Sequence, residues 1–437
     1  MRKKITHTLI DQKLVQCIHK ENETSFITFD GNEIKGGLDQ IPLKNGDILK
    51  PVDSVYIERN IYLPSKMEEL RDGDELFMDL LQYFKDNILL NDDNLLLITA
   101  YTWYTWFYDR LNTAPYLYIQ GDYQTGKSRL LDLMSHTAFN ATVLGTAVTN
   151  ANIYRMVEIG CGTLFIDEFE VDLSNRENIF TQILNEGYRK GGVIVRSERG
   201  GNGTFEPIPY KVFGPKVMAS RSLPNDVALA SRCFLIKTEK TITTDLKVKK
   251  IPLDFTDEQR NRALVLRNRL LGARFRLFFN RPIKRVTRSR WSTAPRDEQL
   301  IGNILSVQPS RYVPDIEYVL FNALSKTENI PTGIGDNDLL NIIKEIIITR
   351  KRNGQQLPYD ILYKEILDKI VLLTGLNLHA KTLGKKIKGL GFEKVAKNDG
   401  TAIRINSFGI LSDESEGSEG SEGSIDEVLR ELKEEIM

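Results

Sequence analysis

Eight consecutive residues, Gly121, Asp122, Tyr123, Gln124, Thr125, Gly126, Lys127 and Ser128, carry the spacing of a phosphate-binding loop. The chemistry follows from the residue types. The glycines let backbone N–H groups wrap an anion at a helix N-terminus, Lys127 can neutralise β and γ phosphates, and the Ser128 hydroxyl can ligate Mg²⁺. Such a loop works only between a strand and a helix. The apolar run Tyr116–Ile119 precedes it and the helix-patterned run Arg129–Met134 follows it. All eight residues are therefore candidates for nucleotide binding, with ATP and Mg²⁺ as the expected ligands.

Further along, the apolar run Thr163–Ile166 ends in Asp167 and Glu168. A strand ending in two carboxylates after a phosphate loop is a Walker B pattern, which places both acids at the carboxyl edge of the same parallel sheet. Asp167 is then the candidate for the Mg²⁺ shell. Glu168 is the candidate that polarises the water attacking the γ phosphate. An Asn-Lys-x-Asp motif for reading guanine is absent from the sequence. A metabolite kinase would have no use for a carboxylate that activates water, so the pair points to ATP hydrolysis.

The elements that must hold these residues can be read from composition and period. The chain has 437 residues, with 59 basic and 59 acidic side chains and a hydrophobic fraction of 41%. That is an ordinary globular composition, long enough for more than one core. Cys17, Cys161 and Cys233 lie far apart, with no zinc or disulfide spacing, which fits a reducing cytoplasm. No run approaches the roughly 20 apolar residues needed to cross a bilayer, so no membrane partner is expected. The scattered histidines receive no role.

Residues 1–66 alternate apolar and polar positions between turn signals at Asp30-Gly31, Gly36-Gly37 and Asn45-Gly46, which reads as a small β-rich N-terminal domain. Residues 67–250 open with two helical patterns rich in core aromatics and continue as strands alternating with helices. This is the pattern of an α/β core with a parallel sheet. Residues 251–335 read as an arginine-rich helical lid or linker. Residues 336–408 read as three helices followed by a hairpin around Asn398-Asp399-Gly400, the order of a winged helix. Residues 409–437 are too polar to bury a core and read as a disordered acidic tail with a short amphipathic helix.

The winged-helix candidate is basic in its third helix and wing, at Lys381, Lys385, Lys386, Lys388, Lys394, Lys397 and Arg404. A recognition helix would meet duplex DNA there. Arg274–Arg290 adds a second basic stretch. A protein-threading motor would be expected to carry an aromatic pore loop between the phosphate loop and Asp167. Tyr154 lies in that interval, but at what reads as a helix start.

Five segments, Pro115–Ser128, Thr149–Arg155, Gly162–Glu168, Phe213–Ser220 and Ala228–Cys233, together resemble the AAA+ ATPases. In particular they resemble the helicase-like, primase-associated ATPases of plasmids, phages and archaeal elements, which are similar to superfamily 3 and minichromosome-maintenance helicases. The resemblance implies a strand over Val212–Ala219 with Ser220 at the sensor-1 position, where many relatives carry Asn. It implies that Arg232 is an arginine finger reaching a neighbouring subunit, hence a homo-oligomeric ring such as a hexamer, and that Arg296 is a sensor-2 arginine at the ATP. The hairpin Gly192–Phe205 would line the channel, with Arg196 and Arg199 on single-stranded DNA. The implied activity is DNA translocation or unwinding in replication of a mobile element, with a primase or another replication protein as a further partner. A protein remodeller, a helicase loader and an initiator that uses ATP only to assemble remain as alternatives.

Overall fold

The computed structural model describes residues 2–53, 60–144, 149–169, 178–199, 204–224, 226–240, 251–280, 283, 295–328, 336–355, 359–374, 380–390, 392–397 and 399–405. The chain forms two compact units, residues 1–221 with 228–329, and residues 222–227 with 330–437.

The first unit begins with β1 (Arg2–Ile5), β2 (His7–Ile10), β3 (Lys13–Lys20), β4 (Glu23–Phe29), β5 (Ile34–Leu38), β6 (Ile41–Pro42) and β7 (Ile48–Pro51). Strands β2 to β5 form an antiparallel meander, and β1, β7 and β6 form a second small sheet. Their inward residues, among them Ile5, Val15, Cys17, Phe26, Leu49 and Val52, close over one apolar cluster. Strand β8 (Ile61–Tyr62) then leaves this domain and adds antiparallel to the edge of the central sheet.

Helices α1 (Gly73–Asn87) and α2 (Asp92–Thr105) start at Asp72 and Asn91, whose side chains accept the first backbone N–H groups. The aromatics of α2 and its C-terminus are core. Trp103 and Trp106 are fully buried, and their indole N–H groups donate to the carbonyls of Val307 and Thr137.

The central sheet is built from β9 (Tyr116–Gln120), β10 (Ala141–Leu144), β11 (Leu164–Ile166), β14 (Lys216–Ser220) and β15 (Cys233–Lys237), in the order β15-β9-β14-β11-β10-β8. Its first five strands are parallel. They are short, nearly continuous apolar runs because helices cover a parallel sheet on both faces. Those connections include α3 (Lys127–Ser135), α4 (Asn150–Gly160) and α5 (Ile179–Glu186). Strands β12 (Val193–Arg199) and β13 (Phe205–Lys211) stand apart as an antiparallel hairpin between α5 and β14. β14 itself starts at Lys216, after Gly214 and Pro215 have broken the extended run that begins at Val212.

Beyond β15 come α6 (Asp257–Asn280), α7 (Pro295–Leu305) and α8 (Val313–Glu328). The arginines of α6 are structural, which corrects the reading of Arg274 as the start of a basic DNA-facing stretch. Arg262 and Arg269 hold Asp86 and Asp79 of α1 at 2.7 and 2.5 Å. Arg274 is fully buried, donates to both oxygens of Asp109 at 3.0 and 2.7 Å, and lies 3.1 Å from His7 Nε2. Residues 281, 282 and 284–290 of that basic stretch lie outside the described residues. Among the described residues no helix is long and apolar enough to cross a membrane.

His136, at the end of α3, is packed between Tyr62 and Phe255, and burial lowers its pKa to about 4. The unfolded chain, with an ordinary imidazole near 6.5, then binds the proton first as pH falls. The stability this residue contributes is complete above about 6.5 and is lost as pH drops through that value towards 4. A loss of about 2 kcal/mol between pH 7 and pH 5 is expected. Urea midpoints at the two pH values measure it, and His136→Gln should remove that part of the slope.

The second unit contains α9 (Asp336–Arg352), β16 (Tyr359–Leu362), α10 (Tyr363–Thr374), α11 (Ala380–Gly389), β17 (Glu393–Lys397) and β18 (Gly400–Ile405). Its sheet is antiparallel, in the order β16-β18-β17. Asp360 on β16 receives Arg404 at 2.8 and 3.1 Å and is also paired with Lys397. The acidic tail lies outside the described residues.

Candidate nucleotide site

The loop from Gly121 to Gly126 leaves the carboxyl end of β9 and feeds α3, so the first turn of that helix opens toward the loop. Its backbone demands glycine at two points. Gly126 sits at φ +81°, and a Cβ on Gly121 would stand 2.0 Å from Thr238 Oγ1 and 2.6 Å from Thr125 Oγ1. Gln124 also adopts a positive φ of 61°. Thr238 at the end of β15 straps the loop by donating to Thr125 Oγ1 at 2.9 Å. Lys127 folds back over the loop, its ammonium donating to the Asp122 carbonyl at 2.6 Å. Partial burial lowers its pKa, while Asp167 and Asp122 act in the opposite direction.

Asp167 and Glu168 follow β11 directly and face the loop across a cleft of about 260 Å³, which Lys127, Ser128 and Arg129 line from the other side. The Glu168 backbone is left-handed, at φ +49°, and its N–H donates to Asp167 Oδ1 at 2.9 Å. A non-glycine residue in that region carries strain, of a kind that clusters at functional sites. Ser220 completes the cleft as the last residue of β14, 1% exposed and in register with Gln120. The Gly121 N–H donates to its carbonyl at 3.1 Å. Arg221, beside it, also lines the cleft, with its guanidinium on the Tyr123 hydroxyl and 4.7 Å from that ring. A run of Arg221 and Ser222 after a strand gives no local pattern that would assign Arg221 to the cleft.

The Ser128 hydroxyl and the Asp167 carboxylate fit Mg²⁺, an ion usually held by one or two protein oxygens together with substrate phosphates. Among the described residues no group of three or more His, Cys, Asp or Glu suited to a metal occurs.

Two arginines lie elsewhere. Arg232 precedes β15, and its carbonyl accepts the N–H of Tyr116, the first residue of β9. It is therefore at the amino edge of the sheet, about 13 Å of strand away from the phosphate loop. Its guanidinium donates to Asn185 Oδ1 at 2.8 Å and to the Leu184 carbonyl at 3.2 Å, and it lies 5.5 Å from the Tyr188 ring. Arg296, expected at the ATP, is not in the cleft of its own chain. Helix α7 starts at Pro295 and holds Arg296 against the Ser231 carbonyl at 3.0 Å, with Tyr188 at 5.4 Å, so it stands beside Arg232.

The hairpin separates its two arginine candidates by face, because successive strand residues point to opposite sides. Arg196 points inward, donating to Gln182 Oε1 at 2.6 Å and lying 5.5 Å from the Tyr154 ring. Glu198, on the same inner face, is paired with Arg155 and with the Tyr210 hydroxyl. Arg196 is thus engaged within its own chain. Arg199 is exposed and pairs across the hairpin with Phe205, itself 73% exposed. The signal in the sequence for Phe205 is an aromatic at an outward strand position. In the second unit Lys381, Lys385, Lys386 and Lys388 all lie on α11, with Lys388 exposed and Lys386 half-buried. Lys397 and Arg404 are engaged by Asp360 and so brace the sheet.

No protein-family model and no curated protein matches the chain. Among solved structures it is similar to the C-terminal region of NrS-1, at 12% identity over 90% of this chain and 96% of that one, with a TM-score of 0.32. It is similar to a full-length MCM homologue from Methanopyrus kandleri, at 11% identity over 72% and 73% of the two chains, with a TM-score of 0.38. The JCV helicase is similar at 13% identity over 58% and 61%, with a TM-score of 0.26. Likenesses this distant carry no residue roles.

Proposed function

We propose that this chain is an ATP hydrolase of the AAA+ type that acts on DNA as a translocase or helicase, in replication of a plasmid, phage or other mobile element. The observation that carries the reading is the gathering of Lys127, Ser128, Asp167, Glu168 and Ser220 at one cleft on the carboxyl edge of a parallel sheet. Lys127 and the loop N–H groups bind and orient the phosphates of ATP. Glu168 holds the attacking water and takes its proton, and Ser220 hydrogen-bonds on the γ-phosphate side. Ser128 and Asp167 hold Mg²⁺, which when bound neutralises charge developing on the phosphates. Arg232, too far to serve its own cleft, acts in a neighbouring subunit with Arg296 beside it. That calls for a head-to-tail homo-oligomer, which closes into a ring, a hexamer by the resemblance to ring helicases.

The outward face of the hairpin, with Arg199 and Phe205, meets single-stranded DNA in the channel. The second unit, ordered helix, strand, helix, helix, strand, strand, serves as a winged helix that presents α11 to duplex DNA. A primase or another replication protein is the partner this reading anticipates. The test is the ATPase rate with and without single-stranded and duplex DNA over a salt series. Strong, salt-sensitive stimulation supports the reading, while a basal rate indifferent to DNA moves it to a protein remodeller. Arg199→Ala should flatten the log-affinity against log-salt slope for single strands by about 0.7, one phosphate contact. Arg196→Ala, on the inner face, should leave that slope unchanged.

A further inference from the structure

Lys216 is an ionisable side chain in a place built for an apolar one, and burial lowers its pKa to about 7. It is the first residue of β14 and 1% exposed, with its ammonium donating to the carbonyls of Gly214 at 2.8 Å, Val212 at 3.1 Å and Gly187 at 3.4 Å. The ring of Tyr116 lies 4.9 Å from it. Burying an ammonium is costly even when it is well bonded, and an apolar side chain of similar length would commonly serve a core as well or better. Its position suggests what these three hydrogen bonds achieve.

The three carbonyls belong to the two ends of the β12–β13 hairpin, since Gly187 precedes β12 while Val212 and Gly214 follow β13. Backbone bonds from Val212 to Gly192 and from Gly214 to Gly187, both 3.2 Å, close the same base. The packing leaves no slack. A Cβ on Gly187 would stand 2.4 Å from Lys216 Nζ and 2.5 Å from the Val212 carbonyl oxygen. At the other end of β14, about 13 Å along a fully buried strand, Ser220 lines the nucleotide cleft. Arg232 grips Leu184 and Asn185, the latter two residues before Gly187, so the subunit edge is fastened to the same segment.

We infer that Lys216 is a positioning residue that joins the hairpin base to the strand lining the nucleotide cleft, so that a shift of β14 during turnover moves the hairpin. The inference rests on the hairpin being the nucleic-acid contact. A merely structural lysine would change stability and lower all activities together. A coupling lysine changes their ratio.

The test is Lys216→Met in the full chain, with thermal melts to establish folding. ATPase is measured without DNA and with a saturating oligothymidine, and oligothymidine affinity is measured by fluorescence anisotropy without nucleotide. The expected result is a basal rate and an affinity close to those of the unmodified chain, with stimulation by DNA reduced about tenfold. Undiminished stimulation, or an equal fall in basal and stimulated rates, overturns the inference while leaving the DNA reading intact. An unmodified chain that shows no stimulation overturns both. Should the variant fail to fold, hydrogen exchange on the unmodified chain decides. Binding a non-hydrolysable ATP analogue should change protection of the Val212 and Gly214 amides about tenfold. Unchanged protection there overturns the inference.

Discussion

Arg232→Ala is expected to lower steady-state ATP turnover by about a thousandfold or more, the range found for arginines that stabilise charge in phosphoryl transfer. The geometry dictates how that loss must arise. Arg232 stands at the amino edge of the central sheet, hydrogen-bonded to Leu184 and Asn185, while Lys127 and Glu168 face each other beyond the carboxyl edge. An arginine side chain cannot span that strand length, so any catalytic effect reaches a neighbour's cleft. Lys127→Ala should be just as inactive, through loss of nucleotide binding within its own cleft. Mixing the two dead variants is therefore decisive. In mixed rings roughly a quarter of junctions pair an intact loop with an intact Arg232, and activity should return in that proportion. Two inactive variants that stay inactive when mixed, under conditions where subunits exchange, would remove Arg232 from catalysis. Its bonds to α5 would then be its whole role.

The parts of the site that could be read from sequence are those whose chemistry is contiguous in the chain. Residues 116–135 form strand, loop and helix without a break, and Asp167-Glu168 follow their strand immediately, so local pattern specifies their relation to the sheet edge. What was not legible depends on packing between distant segments. Arg296 stands next to Arg232 because α7 docks its first turn on Ser231 and Tyr188, which no spacing announces. Arg196 and Arg199 differ only in parity, and the choice of face is made by Tyr154 and Arg155 on α4. The turns at Asp11-Gln12 and Glu21-Asn22 adopt positive φ without any glycine, so the meander lacked its usual punctuation. Strand β16 has four residues and runs directly into α10, too short for alternation to register. Buried Lys216 and Arg274 invert the usual expectation for their residue types, and only the carbonyls and Asp109 that receive them account for it.

Glu168→Gln should retain ATP binding and lose about a hundredfold to ten-thousandfold in turnover, the contribution typical of a positioned general base. The substitution is nearly isosteric, and the bond that sets the backbone at this point, from the Glu168 N–H to Asp167 Oδ1, does not involve the side chain it alters. The left-handed conformation at φ +49° and the cleft should therefore persist, with Lys127 and Ser128 still lining it. What disappears is the ability to take a proton from water. Tight retention of labelled ATP with no release of phosphate over a single turnover is the expected signature, and undiminished turnover would remove Glu168 from the mechanism. The same variant separates a motor from a protein that uses ATP only to assemble on DNA. If hydrolysis drives movement, trapped ATP should leave DNA bound while abolishing strand displacement from a forked duplex. If ATP serves assembly alone, the unmodified chain and Glu168→Gln should load onto DNA equally and neither should displace a strand.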